Sequence, residues 1–105
     1  MATRSPLQST LCPFFRMQQD AFLALLAQDG FAQTVVVERE SNGTLDWHAH
    51  PFEAKALVLE GALTIETDSD SRTYAVGDIF HLAKDVRHRE WFSAAGVRYL
   101  VGRKP

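Results

Sequence analysis

Two histidines one residue apart, in Trp47-His48-Ala49-His50, are the first residues of this chain that invite chemistry. They close a stretch that reads as a β-strand. Strand side chains alternate faces, so His48 and His50 point the same way, about 7 Å apart along the backbone. Two neutral imidazoles at that spacing can each turn a ring nitrogen toward one metal ion. Alone the pair is a weak signal, because two polar residues on a solvated face give the same pattern. Other chemistries find less support. Cys12 precedes Pro13 in a segment with no histidine neighbour, so nucleophilic catalysis there lacks a base. As the single cysteine it also excludes an internal disulfide and a cysteine-built zinc finger. No Ser-His-Asp arrangement or phosphate-cradling glycine loop is present.

A sheet must hold the histidine pair, and most of the chain reads as strand. Thr34-Val35-Val36-Val37 is β-branched, and further strand candidates are residues 45–50, 54–60, 62–67, 72–76, 78–82, 87–92 and 97–101. Ser41-Asn42-Gly43, Glu60-Gly61, residues 68–71, Gly77-Asp78 and Ala94-Ala95-Gly96 punctuate them as turns. Short strands with a turn signal every 8–12 residues predict an antiparallel sandwich or barrel. Before them, Phe15, Phe22, Leu25 and Leu26 form an approximate helical stripe over 14–28. Pro13 suits its first turn, and Asp29-Gly30 suits its end. The division is therefore a helical extension over 1–30 and an all-β barrel over 31–105, one domain overall.

Composition agrees with one small folded unit. Of 105 residues, 46% are hydrophobic, enough for a real core. Eleven basic against thirteen acidic residues argue against a nucleic-acid partner held by phosphate electrostatics. No apolar run approaches the roughly 20 residues of a membrane span, and the first fifteen residues are too polar for a signal peptide. The expectation is no membrane partner and a cytoplasmic location.

The stretch Gly43-Thr-Leu-Asp-Trp-His48-Ala-His50-Pro51-Phe-Glu53, running on to Val58-Leu59-Glu60-Gly61, closely resembles the first motif of the cupin superfamily. Gly77-Asp78-Ile79-Phe80-His81-Leu82-Ala83-Lys84-Asp85-Val86-Arg87-His88 resembles the second. Fifteen residues separate Gly61 from Gly77, like the linkers of small bacterial cupins, and the two motifs span about half the chain. The resemblance implies an RmlC-like jelly-roll barrel (the cupin double-stranded β-helix) with a short N-terminal helix and a metal site in its mouth. By position it places His48, His50 and His88 among the metal ligands.

The carboxylate of the motif does not carry over. Alignment on the Val58–Gly61 end puts Ala54 at the ligand position and leaves Glu53 one residue early. Glu53 serves only if the Pro51-Phe52 turn rotates it inward, since a one-residue shift moves a strand side chain to the other face. Ala83, Asp85 and Phe92 stand where the second motif has Pro, Gly and Asn, which leaves the geometry of the loop before His88 open. Parity offers Glu90 instead, because it shares a strand face with His88. A carboxylate buried there must be paired, hydrogen-bonded or metal-bound, so Glu90 either completes the site, orients a ligating histidine or pairs with an arginine at the mouth. A three-histidine face with water is the remaining arrangement.

The same parity sends Lys55 out of the barrel and leaves Ala54 and Ala56 as small inward residues that make room for a ligand. His81 reads as a packed or edge histidine. Phe52, Phe80 and Trp91 are candidates for the mouth, a subunit interface or the core, and Arg87, Arg89 and Arg98 for a solvated face or an anion patch. The implied cofactor is one divalent ion of iron, nickel, copper or zinc, with identity open. The implied function is a metal-dependent enzyme, oxygenase-like by family analogy, acting on a small organic molecule. The alternative is a non-catalytic barrel that binds a small molecule or metal. Exposed strand edges in so short a chain point to a homodimer.

Overall fold

The β-branched and aromatic runs after Gly30 form six strands, preceded by one helix. The structure, a computed structural model, describes the chain from Leu7 to Pro105 and side chains from Gln18 onward. In order the elements are α1 (Leu7–Gln28), β1 (Gln33–Arg39), β2 (Thr44–His48), β3 (Glu53–Thr67), β4 (Ser71–Ala75), β5 (Ile79–Leu82) and β6 (His88–Lys104). Every pairing is antiparallel. β3 and β6 lie side by side and run through two layers. The first half of β3 pairs with the last half of β6, and β5 and β1 flank them. The second half of β3 pairs with the first half of β6, flanked by β4 and β2. The result is the all-β jelly-roll barrel with a helix that the sequence implied.

The long strands replace four shorter ones expected from the turn signals. Gly61 does not end a strand. It takes φ 72, and the β3–β6 register slips around it. A Cβ at Gly61 would lie 2.0 Å from the Gly96 carbonyl oxygen, so the two backbones approach there only because the side chain is absent. Such a slip flips the inward phase. Ala54, Ala56 and Val58 face the core before it, and Leu63 and Ile65 after it. β6 changes phase likewise between Phe92 and Val97.

The barrel interior holds these residues with Phe80, Leu82, Tyr99 and Val101. Leu57, Leu59 and Leu100 have the opposite phase and point outward, where they would be exposed without the helix. Phe22 and Leu26 of α1 cover them together with Phe31. The helix ends as Asp29-Gly30 predicted. Gly30 adopts φ 85, Phe31 N–H donates to Leu26 O at 2.8 Å, and Gly30 N–H donates to Ala27 O at 3.2 Å. This is a Schellman closure with its apolar contact, Leu26 against Phe31. The helix start differs from the expectation, because α1 reaches back to Leu7 and Pro13 falls inside it. Cys12 and Phe15 lie outside the residues whose side chains are described.

Candidate metal centre

β2 and the start of β6 bring the histidines together. His48 and His88 are direct partners across the β2–β6 pair. His50 follows β2 by two residues, and its carbonyl accepts the Asp85 N–H at 2.8 Å. That bond ties the loop before His88 to the first two histidines. Asp85 makes the loop with φ 63, the left-handed conformation that glycine adopts without strain and that aspartate tolerates better than most residues. The backbone turn that a glycine would give is therefore kept without one.

The three rings sit with centroids 4.3–5.1 Å apart. Each offers a ring nitrogen, and these nitrogens lie within 4.8 Å of one another. Ligand atoms around one ion, at bonds of about 2.1 Å, are roughly 3–3.5 Å apart, so ring rotations on the order of 1 Å close the set. The tautomers are fixed from outside. His48 Nδ1 faces Asp46 O at 2.6 Å and His88 Nδ1 faces Val86 O at 2.9 Å. A carbonyl only accepts, so the proton of each neutral ring sits on Nδ1, and Nε2 turns a lone pair inward.

Glu90 occupies the space between those lone pairs. Its Oε2 lies 3.4 Å from His48 Nε2 and 3.3 Å from His88 Nε2. Glu90 is 5% exposed and His88 1% exposed, and Nε2 of His88 has no aligned hydrogen-bond partner. With both rings neutral, the approach of the carboxylate is a close contact of acceptors; a proton on His88 Nε2 turns it into a charge-assisted pair. Burial pulls the His88 pKa down, but the Glu90 carboxylate and the Val86 carbonyl outweigh it and leave it raised. Burial lowers the His50 pKa, and the two neighbouring histidines add to that effect. His50 stacks on Phe52 at 4.8 Å, nearly parallel.

Glu53 is not brought to this cluster. Ala54 takes the inward phase of β3, so Glu53 faces outward, where its Oε2 meets His81 Nε2 at 2.5 Å and Lys104 Nζ lies 3.9 Å from its other oxygen. The bond to His81 lowers the Glu53 pKa despite some desolvation. The Pro51-Phe52 turn does not rotate the residue inward, so Glu53 stands apart from the three histidines and pairs with His81. His81 is the edge residue of that outer pair. Lys55 leaves the barrel as parity required and approaches Asp29 at 3.7 Å. Arg87, Arg89 and Arg98 also point outward, pairing with Asp68, Glu66 and Glu60. Arg87 and Arg89 enclose the Trp47 ring at 4.0 and 4.9 Å. Phe80 is core, Phe52 borders the cavity and Trp91 is on the outer face.

A cavity of about 60 Å³ opens beside the histidines. Ala54, Phe80, Leu82 and Val101 give it apolar walls, and Glu90, Tyr99, Arg39 and Arg103 are its polar groups besides His48 and His50. Sequence reasoning missed the last three. Tyr99 was legible, since it shares the inward phase of Val97 and Val101 in the strand expected over 97–101, whereas Arg103 lies beyond that strand and enters the face only because β6 runs on to Lys104. Burial, then the charge of Glu90, pushes the Tyr99 phenol up to about 12, against an opposing pull from Arg39. Tyr99 is therefore a hydrogen-bond donor across the ordinary pH range.

The donor set passes a chemical test for a divalent ion. Two inward lone pairs and a third imidazole converge, and no protein donor satisfies the buried His88 Nε2. His48, His50 and His88 can hold a metal, and the Glu90 carboxylate stands 3.3–3.4 Å from two of their nitrogens.

The two-layer barrel matches solved structures of cupins. No protein-family model matches the sequence, and no curated protein matches it. Among solved structures, a cupin-2 domain protein from Shewanella frigidimarina is 23% identical, with a TM-score of 0.57 over 70% of this chain and 69% of its own. An RmlC-like cupin from the same organism is 19% identical, with a TM-score of 0.59 over 70% of this chain and 66% of its own. The DMSP lyase DddQ from Ruegeria pomeroyi is 19% identical, with a TM-score of 0.63 over 69% of this chain and 37% of that protein. This chain has the cupin fold. Among the described residues, no helix is long and apolar enough to cross a membrane.

Proposed function

We propose that this protein is a metal-dependent cupin enzyme that acts on a small organic molecule in the cavity beside His48, His50, His88 and Glu90. One observation carries the reading. The buried Nε2 of His88 and the inward Nε2 of His48 face the Glu90 carboxylate with no donor between them. Buried acceptors gathered in this way repel unless a cation or a proton lies among them. A divalent ion of iron, nickel, copper or zinc suits nitrogen ligands with one carboxylate. When bound it supplies Lewis-acid polarisation, or oxygen chemistry if it is redox-active.

The chain's own residues prepare the rest. The Asp46 and Val86 carbonyls hold two rings in the ligating tautomer. Ala54 leaves open the volume that a longer side chain would fill, and Phe80, Leu82 and Val101 limit water. Tyr99 keeps its proton and is available to donate a hydrogen bond to a bound oxygen. The DMSP lyase among the structural neighbours is an enzyme on the same fold, which supports catalysis here only by analogy.

Purified protein stripped with chelator and then titrated with each of the four ions, followed by elemental analysis, tests the site. One equivalent per chain is expected, and failure of all four ions to bind refutes it. Oxygen-uptake screens with small thiols, diketones and phenolic acids then test turnover, which His50→Ala should abolish. A second reading, a non-catalytic barrel that binds a metal and a small molecule, is favoured by the alanine at position 54, where the first motif carries its ligating carboxylate. Metal binding with silent turnover assays would select it. The reading includes a homodimer in the cytoplasm. β1 is exposed on both faces, with Val35 and Val36 at 38% and 48%, and light scattering should return twice the 11.8 kDa chain mass.

A further inference from the structure

Arg103 has an unusual place. It pairs with Ala54 across β3 and β6 and shares the inward phase of Tyr99 and Val101. It is half-buried, and it borders both the 60 Å³ cavity and an outer groove of about 450 Å³ formed by Gly30, Ala32, Gln33, Pro51 and Phe52. Its guanidinium lies 5.1 Å from the Phe52 ring centre, and Phe52 in turn stacks on His50. Most other arginines are matched: Arg72, Arg87, Arg89 and Arg98 each reach a carboxylate within 4.0 Å. Among the described residues, Arg103 and Arg39 reach none. These two arginines line the cavity, and Glu90 is the single acidic residue in its wall.

The wall therefore carries two fixed positive charges against one negative before any ion binds. A guanidinium beside an apolar wall, half desolvated and without a partner, is a recognition group for an anion. Its planar fork matches a carboxylate through two parallel hydrogen bonds. We propose that the ligand of this cavity is a small organic carboxylate, held by Arg103 at the passage between groove and cavity and stacked beside Phe52. Arg103 fixes the carboxylate end, and the rest of the molecule extends toward His50 and Ala54. Arg39, which enters β1 opposite Val97 at the other end of the β6 segment, adds positive potential from the far side. The inference names the ligand class of the site proposed above and rests on that cavity being a ligand site.

The test uses propionate and its neutral isostere propionamide on metal-free protein, with binding read from chemical-shift changes of backbone amides around residues 50–54 and 99–103. Propionate should bind and propionamide should bind at least 10-fold more weakly, because the neutral amide cannot give the guanidinium a charge-assisted hydrogen bond. Arg103→Gln should weaken propionate at least 10-fold, Arg103→Lys should retain an intermediate affinity, and Arg72→Gln on the distant hairpin should change nothing. Equal binding of acid and amide, or wild-type propionate affinity in Arg103→Gln, overturns the proposal. Tighter binding of inorganic phosphate than of propionate overturns the carboxylate assignment. Metal titration of the same variants separates this idea from the previous one. Arg103→Gln should load one equivalent of metal as the wild type does, so lost propionate binding with normal loading supports Arg103. Propionate binding that depends on Arg103 in a protein that takes up no metal would remove the metal reading alone.

Discussion

Replacing Glu90 by glutamine should move metal affinity and metal-free stability in opposite directions. The substitution keeps the side-chain volume and removes one charge. In the wild type, Oε2 stands 3.4 and 3.3 Å from two ring nitrogens whose lone pairs point at it, since both Nδ1 protons are committed to backbone carbonyls. A glutamine amide can turn an N–H toward His88 Nε2, the buried acceptor that has no partner. Leaving such a group unsatisfied costs about 1–3 kcal/mol. Taking the lower end, because only one of the two nitrogens gains a donor, the metal-free variant should melt about 5 °C higher than metal-free wild type in a domain of this size. The comparison is made along a pH series. The raised pKa of His88 means that its pairing with Glu90 stabilises the fold at low pH and is lost as pH rises through the folded-state value. The gain from glutamine should therefore grow toward the alkaline end of the series, where the wild type has lost that contribution. Metal affinity should fall by at least about 10–100-fold, the usual cost of removing even an orienting partner. Calorimetry on chelator-treated protein and competition titration against a chromophoric chelator measure the two quantities. Wild-type metal affinity in Glu90→Gln, or a metal-free melting point several degrees below wild type, would refute the reasoning about converging acceptors.

Three further outcomes follow from the geometry. Glu53→Gln should leave metal stoichiometry and affinity unchanged, because Glu53 engages His81 on the outer face; competition titration checks this. Leu26→Ala should destabilise the protein by about 2–5 kcal/mol, since Leu26 is fully buried between helix and barrel, with a denaturant midpoint shift as the readout. Gly61→Ala should fail to give the wild-type fold, as the new Cβ would stand 2.0 Å from the Gly96 carbonyl oxygen; the fingerprint of backbone amide resonances reports it.

The parts of this protein that follow a strict period were legible. Parity alone put Glu90 on the face of His88 and sent Lys55 outward, and both positions hold in the structure. The cupin barrel followed from two motifs in the right order. What escaped were features set by partners distant in sequence. Gly61 reads as a turn locally, but the Gly96 carbonyl opposite it turns the break into a bulge, so four expected strands are two. Arg103 is one basic residue near the end of the sequence until β6 is paired with Ala54 and its inward phase becomes visible. Asp85 is a departure from glycine in the sequence, yet its φ of 63 and its bond to the His50 carbonyl restore the turn that a glycine would have made.

The exchange between positions 54 and 90 explains the most about the site. In β3 the inward position is alanine, and the carboxylate one residue earlier is turned to solvent, so the strand that follows the first two histidines contributes no charge. β6 contributes it instead, two residues after His88, and because His48 is the direct cross-strand partner of His88 the carboxylate meets both nitrogens. Moving the acid to β6 has a steric consequence. The volume above Ala54 stays empty, and the cavity opens on that side toward Phe52 and Arg103. A glutamate side chain on β3 would fill that volume and place a negative charge near the guanidinium, giving Arg103 an internal partner. With alanine there, Arg103 remains available for an external anion while Glu90 keeps the histidine cluster charged. The placement of one carboxylate thus governs both what the histidines can hold and what the cavity can admit.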